Sequence, residues 1–124
     1  MNDTKTYLAF REDELSSATI YESLAEIEKD ERIRKVYEKM AAVERKHAKN
    51  WEEKLLAEGI QPPPFKPSFR VRLLIWLAKK FGPEMILPSL QAMEKDGGSA
   101  YLKADADRQM TKDEQTHALV LAQI

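Results

Sequence analysis

Apolar residues recur along the chain at spacings of three and four, which is the period of an amphipathic α-helix, and no stretch alternates as a β-strand does. This pattern predicts a first helix over about 6–29 and a second over about 30–58. The two are joined so tightly at Lys29–Asp30–Glu31 that we expect an antiparallel hairpin over about 6–58, with Gly59 at the helix C-cap.

Residues 59–82 predict a long crossover. The segment 59–68 reads GIQPPPFKPS, and its four prolines make it stiff and extended. A short amphipathic helix follows over 69–81, FRVRLLIWLAKKF, with basic residues near both ends. This helix suits two roles, which are capping one end of a bundle and lying on an anionic membrane surface. Its apolar face also predicts a homodimer, because a lone small bundle would expose part of it.

The remaining pattern predicts a third helix over about 83–103 and a fourth over about 104–124. Pro88 should kink the third helix or delay its start, and Gly97–Gly98 should weaken its middle. The order of two helices, a long crossover and two more helices is that of a ferritin-like bundle. We therefore expect a single all-α domain over 1–124, an antiparallel four-helix bundle whose second hairpin spans about 83–124.

Composition restricts the classes of function. The chain is 43% hydrophobic and 33% charged, which suits a soluble, folded helical protein. Its net charge of −1, from 20 basic and 21 acidic residues, argues against a nucleic-acid partner. The absence of cysteine excludes disulfides, thiolate-bound metals and thiol catalysis. No apolar run approaches the roughly 20 residues that span a bilayer.

Both histidines of the chain follow a glutamate by three residues, at Glu44/His47 and Glu114/His117. Residues i and i+3 share one face of a helix, so the two members of each pair point the same way. One such pair is ordinarily a surface ion pair. One pair in each half of the chain is instead typical of a metal site between two helical hairpins.

A second coincidence accompanies the first. Glu14 precedes Tyr21 by seven residues, and Glu94 precedes Tyr101 by seven. Each half therefore reads Glu-x6-Tyr and then Glu-x-x-His, which indicates an internal repeat. The two glutamates are 30 residues apart in the first half and 20 apart in the second, so the second hairpin should be the shorter.

These residues together predict a dinuclear metal centre. Each buried carboxylate of a bundle would cost on the order of several kcal/mol unless it is neutralised. Two divalent cations balance four carboxylates, and two imidazoles complete the ligands without added charge. Oxygen and nitrogen ligands suit iron or manganese, and zinc would also bind. We expect two iron ions, with manganese or zinc as substitutes, held by six residues: Glu14, Glu44, His47, Glu94, Glu114 and His117.

Other residues near these positions fit a structural role as well as a chemical one. Tyr21 and Tyr101 suit a hydrogen bond to a ligand or an electron relay, and they suit packing in the core equally well. Trp51 and Trp76 are expected in the core. Three acidic residues are candidates to support the ligands or to guide metal towards them: Glu22, Glu28 and Asp113.

The first hairpin resembles the rubrerythrin-type branch of the ferritin-like superfamily. The resemblance rests on Glu14-x6-Tyr21-x-x-Leu24-Ala25 and on Met40-Ala41-x-x-Glu44-x-x-His47. The stretch Arg72-Leu-Leu-x-x-Leu-Ala-x-x-Phe-Gly82-Pro83, followed by Leu87-Pro88, is similar to the ferritin-like domain of membrane-bound ferritins. In those proteins the domain precedes a membrane domain of the vacuolar-iron-transporter type. The helical pattern stops at Ile124 without a stop signal, which fits a fragment of such a protein as well as a natural terminus.

The resemblance implies oxidation of Fe(II) by dioxygen or peroxide, coupled to iron export or sequestration on the cytoplasmic side of a membrane. The attached iron-transporter domain would be the partner of the domain in the full-length protein. The chain departs from the rubrerythrin pattern at two points. Rubrerythrins carry a second carboxylate at the position of Gly97, and this chain lacks rubredoxin-type cysteines. The resemblance assigns bridging roles to Glu44 and Glu114, and terminal roles to Glu14 with His47 and to Glu94 with His117, of which Glu94 is the least secure.

Three functions remain open from the sequence. The first is a ferroxidase-type domain that binds two Fe(II) and delivers their electrons to an oxidant. The second is an iron-sensing or iron-delivery module that regulates an attached transporter without rapid turnover. The chain is an enzyme only if the first function is correct. The third is a helical interaction module without metal.

Overall fold

The computed structural model describes residues 3–103 and 108–124, and the regular elements in these two ranges are helices. A short 3₁₀ helix over Pro83–Ile86 separates the third α-helix from the fourth. The α-helices are α1 (Asp3–Ile27), α2 (Glu31–Ala57), α3 (Phe69–Phe81), α4 (Leu87–Lys103) and α5 (Arg108–Gln123).

The first hairpin, α1 and α2, forms as the sequence predicts. Asp30 caps α2, because its carboxylate accepts hydrogen bonds from the backbone N–H groups of Arg32 at 2.9 Å and Ile33 at 3.4 Å. Gly59 ends the helix at a φ of +77°, a conformation that L-residues with a side chain seldom adopt. The backbone N–H of Ile60 then bonds to Leu55 O at 2.9 Å, which satisfies a carbonyl of the last turn.

The crossover consists of an extended, proline-rich segment and then α3. Ser68 starts α3, since its hydroxyl oxygen accepts a hydrogen bond from the backbone N–H of Val71 at 3.2 Å. Gly82 ends it at φ +100° and ψ 158°, which only glycine adopts readily. Pro88 is the second residue of α4, so it delays the start of that helix as expected rather than kinking it.

The second hairpin, α4 and α5, packs against the first to complete the bundle. Its helices have 17 and 16 residues, against 25 and 27 in the first hairpin, so the expected difference in length is confirmed. The fold is the predicted all-α, ferritin-like helical bundle, with α3 in the crossover. In the two described ranges no helix is both long and apolar enough to cross a membrane.

Two apolar clusters fill the bundle on either side of a polar layer. The larger one lies towards the turn of the first hairpin and includes Leu24, Tyr37 and Leu90. The smaller one lies at the other end of the bundle, where Trp51 and Tyr101 meet the rings of residues near the start of α1. Trp51 is therefore in the core, as expected.

Trp76 is not in the core, and its sequence assignment is wrong. The face of α3 that packs on the bundle carries Val71, Leu74 and Ala78, all buried. Trp76 lies on the opposite face of that helix with 54% of its surface exposed. Both faces of α3 carry large apolar side chains, so the presence of such residues alone does not show which face packs on the bundle.

Candidate metal centre

Side chains from four helices converge in the polar layer between the two apolar clusters. One glutamate comes from α1 and one from α4, whereas α2 and α5 each supply a glutamate and the histidine one turn later. All of these residues are buried, and each has at most 6% of its surface exposed. They are the six residues predicted from the sequence as ligands: Glu14, Glu44, His47, Glu94, Glu114 and His117.

The layer contains two groups of four residues that could each hold a metal ion. In each group, one ligand atom per residue lies within 4.8 Å of the others. Glu44 and Glu114 belong to both groups, so the two candidate positions share their carboxylates. The first group adds Glu14 and His47, and the second adds Glu94 and His117.

Both imidazoles direct their Nδ1 atoms at these carboxylates. His47 Nδ1 lies 3.0 Å from Glu14 Oε2 and 3.3 Å from Glu114 Oε1. His117 Nδ1 lies 3.4 Å from Glu44 Oε1. The nitrogen atoms that point into the layer are therefore available to a cation placed among the carboxylates.

Five side-chain atoms of the layer are buried without a hydrogen-bond partner. They are Glu44 Oε1 and Oε2, Glu94 Oε2, Glu114 Oε1 and His117 Nδ1. Each such atom costs about 1–3 kcal/mol, so native proteins rarely leave several of them together. Carboxylate oxygens and imidazole nitrogens are good ligands for divalent first-row metals. The unpartnered atoms therefore fit a pair of cations better than they fit a metal-free core.

The layer also holds protons that a metal must displace. Burial, together with the charges of Glu94 and Glu14, raises the pKa of Glu44 well above its ordinary value. Burial likewise raises the pKa of Glu114. Burial opposes the charged form of His47, but the nearby carboxylates of Glu114 and Glu14 outweigh it and raise the pKa of this imidazole to about 10. Metal binding is therefore coupled to proton release.

Each tyrosine of the repeat bonds to the glutamate of the opposite hairpin. Tyr21 on α1 donates its hydroxyl proton to Glu94 Oε1 on α4 at 2.5 Å. Tyr101 on α4 donates to Glu14 Oε1 on α1. The two bonds cross the bundle, so they join the hairpins and hold one oxygen of each glutamate in place. Both tyrosines are also buried, so each combines a hydrogen bond to a candidate ligand with packing in the core. Their role as an electron relay stays a prediction.

Asp113 holds the outer nitrogen of one histidine. Its Oδ2 lies 2.8 Å from His47 Nε2, and its Oδ1 accepts a hydrogen bond from Gln109 Nε2 at 2.9 Å. A carboxylate in this position fixes the orientation and tautomer of the imidazole and makes its inner nitrogen a stronger ligand. Asp113 directly precedes Glu114 in the sequence. The residue that directly precedes Glu44 is Val43, which has no carboxylate, so the two halves of the layer differ here.

Gly97 allows α4 and α5 to approach each other at the layer. A Cβ atom on Gly97 would lie 3.0 Å from Glu114 Oε2, whereas one on Gly98 would meet its nearest atoms at 3.6 Å. The pair lies within α4 and does not interrupt it, and its expected effect on the stability of the helix stays a prediction. Gly97 also lines a cavity of about 300 Å³ that reaches Glu14 and Glu114, so one side of the layer is accessible to small molecules.

Glu94 lies within the layer despite being the least secure ligand in the sequence. It is 1% exposed, and its Oε1 lies 3.5 Å from His117 Nδ1. Burial raises its pKa, but the nearby imidazole of His117, the neighbouring Glu114 and the hydrogen bond from Tyr21 outweigh burial and lower the pKa below its ordinary value. Its carboxylate is therefore held in the charged form, which a cation requires.

Two of the suggested supporting residues lie elsewhere. Glu22 forms two hydrogen bonds of 2.6 Å with Arg45 on the surface of the first hairpin. Glu28 accepts a hydrogen bond from the backbone N–H of Asp30 at 3.1 Å, within the hairpin turn. Of the three acidic candidates, Asp113 is the one that contacts the layer directly.

Residues 8–64 match the family model of rubrerythrin. The match covers α1, α2 and the start of the crossover, somewhat less than half of the chain, and it includes Glu14, Glu44 and His47. No curated protein and no solved structure matches the chain significantly. The first hairpin is thus rubrerythrin-like, and the likeness of the following segment to membrane-bound ferritins stays a prediction.

Proposed function

We propose that the chain binds two iron ions in the polar layer and acts as a ferroxidase-type domain, oxidising Fe(II) with dioxygen or peroxide. The observation that carries the proposal is the set of five unpartnered, buried ligand atoms on four helices. The rubrerythrin match of the first hairpin supports iron over other first-row metals. We further propose that this oxidation serves iron export or sequestration at a membrane, on the basis of the resemblance over 72–88.

The residues of the layer would divide the work of holding the metals. Glu44 and Glu114 would bridge the two ions, because each belongs to both groups of candidate ligands. The terminal ligands would be Glu14 with His47 and Glu94 with His117. When bound, the two ions supply the redox chemistry that passes electrons from Fe(II) to the oxidant.

The remaining side chains would position these ligands and control access. The hydroxyls of Tyr21 and Tyr101 each bond to one oxygen of Glu94 and Glu14, so the other oxygen of each carboxylate would be left for the metal. Asp113 orients the ring of His47. The apolar clusters exclude water above and below the layer, and the cavity at Gly97 provides a path for a small oxidant.

The test begins with anaerobic Fe(II) titration of the purified protein, followed by addition of oxygen with an oxygen electrode. We expect two Fe(II) per chain and rapid oxygen uptake. Glu44→Gln should abolish both, whereas Glu38→Gln, an exposed position on the same helix, should change neither. Failure to bind two ions would refute the dinuclear centre.

Tight binding of two Fe(II) without oxygen or peroxide consumption would refute the ferroxidase activity alone. It would favour the alternative, in which the layer senses or delivers iron for an attached transporter. Thermal unfolding shows whether a variant that fails to bind metal is still folded. In a folded protein that binds the metal, a free metal concentration of 100 times the Kd adds about 2.7 kcal/mol of stability.

A further inference from the structure

The outward face of α3 is an exposed apolar surface. Most of the large hydrophobic side chains that are exposed in the described part of the chain lie between residues 69 and 85. Trp76 is 54% exposed and Phe69 is 71% exposed, values far above those of core rings such as Trp51 at 3%. Leu73 is also exposed on this helix, Phe81 at its end contacts the ring of Trp76, and Met85 is exposed in the 3₁₀ helix that follows.

The position of α3 on the bundle is determined by its other face. Val71, Leu74 and Ala78 are buried in the larger apolar cluster, and both ends of the helix are capped. The helix therefore cannot roll over to bury its outward rings without losing that packing. A patch of exposed rings of this kind is typical of a surface that binds a partner or a membrane.

Basic side chains are interleaved with the exposed rings, and acidic ones are absent. Between Glu58 and Glu84 the sequence contains no aspartate or glutamate. The chain as a whole has a net charge of −1, so the rest of it is net negative. The basic residues of this stretch are Lys66, Arg70, Arg72, Lys79 and Lys80, and all are exposed.

We propose that this face of α3 binds the surface of an anionic lipid bilayer, with Trp76 and Phe69 at the boundary between headgroups and acyl chains. Exposed aromatic rings among lysines and arginines are typical of helices that lie in the membrane interface. Charge favours lipid over a second copy of the chain. In a twofold dimer this face would meet itself, which would bring the basic side chains of both copies together.

Vesicle co-sedimentation tests the proposal with the intact chain. Vesicles of phosphatidylcholine with about 30% phosphatidylserine should bind the protein at low salt, and pure phosphatidylcholine vesicles should bind it far less. Binding should fall steeply in 1 M NaCl, where the Debye length is about 3 Å. Equal binding to both kinds of vesicle, or to neither, would overturn the proposal.

The fluorescence of Trp76 reports directly on the proposed contact. Its emission should shift to the blue with anionic vesicles, and brominated lipids should quench it, whereas buried Trp51 should not respond. In Trp76→Phe the shift should disappear while sedimentation with vesicles persists. A shift retained in that variant would place the contact elsewhere.

Two pairs of matched variants separate charge from apolar contact. Lys79→Glu/Lys80→Glu should weaken vesicle binding at least about 25-fold, since each basic group at an anionic surface contributes roughly fivefold. Lys39→Glu/Lys46→Glu, the same change at exposed positions of α2, should have little effect. Phe69→Ser/Trp76→Ser should weaken binding about tenfold or more, and Leu56→Ser/Leu119→Ser, exposed on other helices, should not.

Analytical ultracentrifugation without lipid tests the competing occupant of this face. We expect a monomer in which Trp76 remains accessible to acrylamide, in contrast to the homodimer that this apolar helix predicts from the sequence. A dimer that is dissociated by Phe69→Ser/Trp76→Ser would assign the face to self-association and would overturn the lipid proposal.

Discussion

The neighbouring glycines of α4 offer a matched pair of substitutions at the candidate metal centre. Gly97→Ala and Gly98→Ala make the same chemical change one residue apart in one helix. Each should gain helix propensity of about 0.8–1 kcal/mol, because glycine is that much less favourable than alanine in a helix interior. Any difference between the two variants therefore reports on what the new methyl group touches.

The contacts of the two methyl groups differ. At Gly97 the added carbon would lie 3.0 Å from Glu114 Oε2, and at Gly98 its nearest neighbours would lie at 3.6 Å, which is ordinary van der Waals contact. The carboxylate of Glu114 would have to move by a few tenths of an ångström. Crowding of this kind in a packed interior typically costs about 1–3 kcal/mol, which cancels or exceeds the gain in helix propensity.

Thermal unfolding with and without Mn(II) measures both effects. Gly98→Ala should raise Tm by about 3–4 °C, since 1 kcal/mol shifts Tm by about 4 °C in a domain of this size, and it should retain the metal-induced shift. Gly97→Ala should have a lower metal-free Tm than Gly98→Ala. Its Mn(II) affinity should fall about tenfold or more, because the carboxylate that we propose as a bridging ligand is displaced.

The reasoning would be refuted if both variants bound Mn(II) as tightly as the unchanged protein and had equal Tm values. Equal metal affinity with a lower Tm for Gly97→Ala would show that Glu114 is crowded but is not a ligand. The pair thus separates the packing role of Gly97 from the metal role of Glu114.

Three further predictions concern the side chains around the layer. Asp113→Ala should lower the affinity for Mn(II) about 10–100-fold in a titration followed by electron paramagnetic resonance, because the outer nitrogen of a ligand imidazole loses its partner. Tyr21→Phe should cost about 1.5–3 kcal/mol in urea unfolding of the metal-free protein, as expected for a buried hydrogen bond to a charged group, whereas Tyr7→Phe should cost less than about 0.5 kcal/mol. The metal-free protein should lose stability as the pH rises above about 4.5, because burial raises the pKa values of Glu44 and Glu114, so the folded chain keeps protons that the unfolded chain releases. The opposite slope, with stability rising from pH 5 to 8, would contradict the assignment of protonated carboxylates to the layer.

The candidate ligands were predictable because the pattern that reveals them is local. A helix places residues three apart on one face, so Glu44 with His47 and Glu114 with His117 could be paired from their spacing alone. The repeat of Glu-x6-Tyr then pointed to Glu14 and Glu94. Charge balance suggested two cations without any knowledge of distances.

The contacts between the hairpins could not be predicted in the same way. Spacing indicates that Tyr21 shares a face with Glu14, yet its hydroxyl bonds to Glu94 on the other hairpin. The closeness of Gly97 to Glu114 depends on how near α4 approaches α5. Both features depend on the separation and rotation of neighbouring helices, which packing decides and periodicity does not.

The sequence by itself determined the helices, the hairpins and the residue types available for a metal. The helices begin or end at Asp30, Gly59 and Gly82. These residues act through backbone geometry within a few residues, so their effect does not depend on the tertiary structure. Tertiary structure decided which faces are covered, and Trp76 illustrates the difference. Both faces of α3 carry large apolar side chains, and Trp76 is exposed because the face with Val71, Leu74 and Ala78 is the one that packs on the bundle.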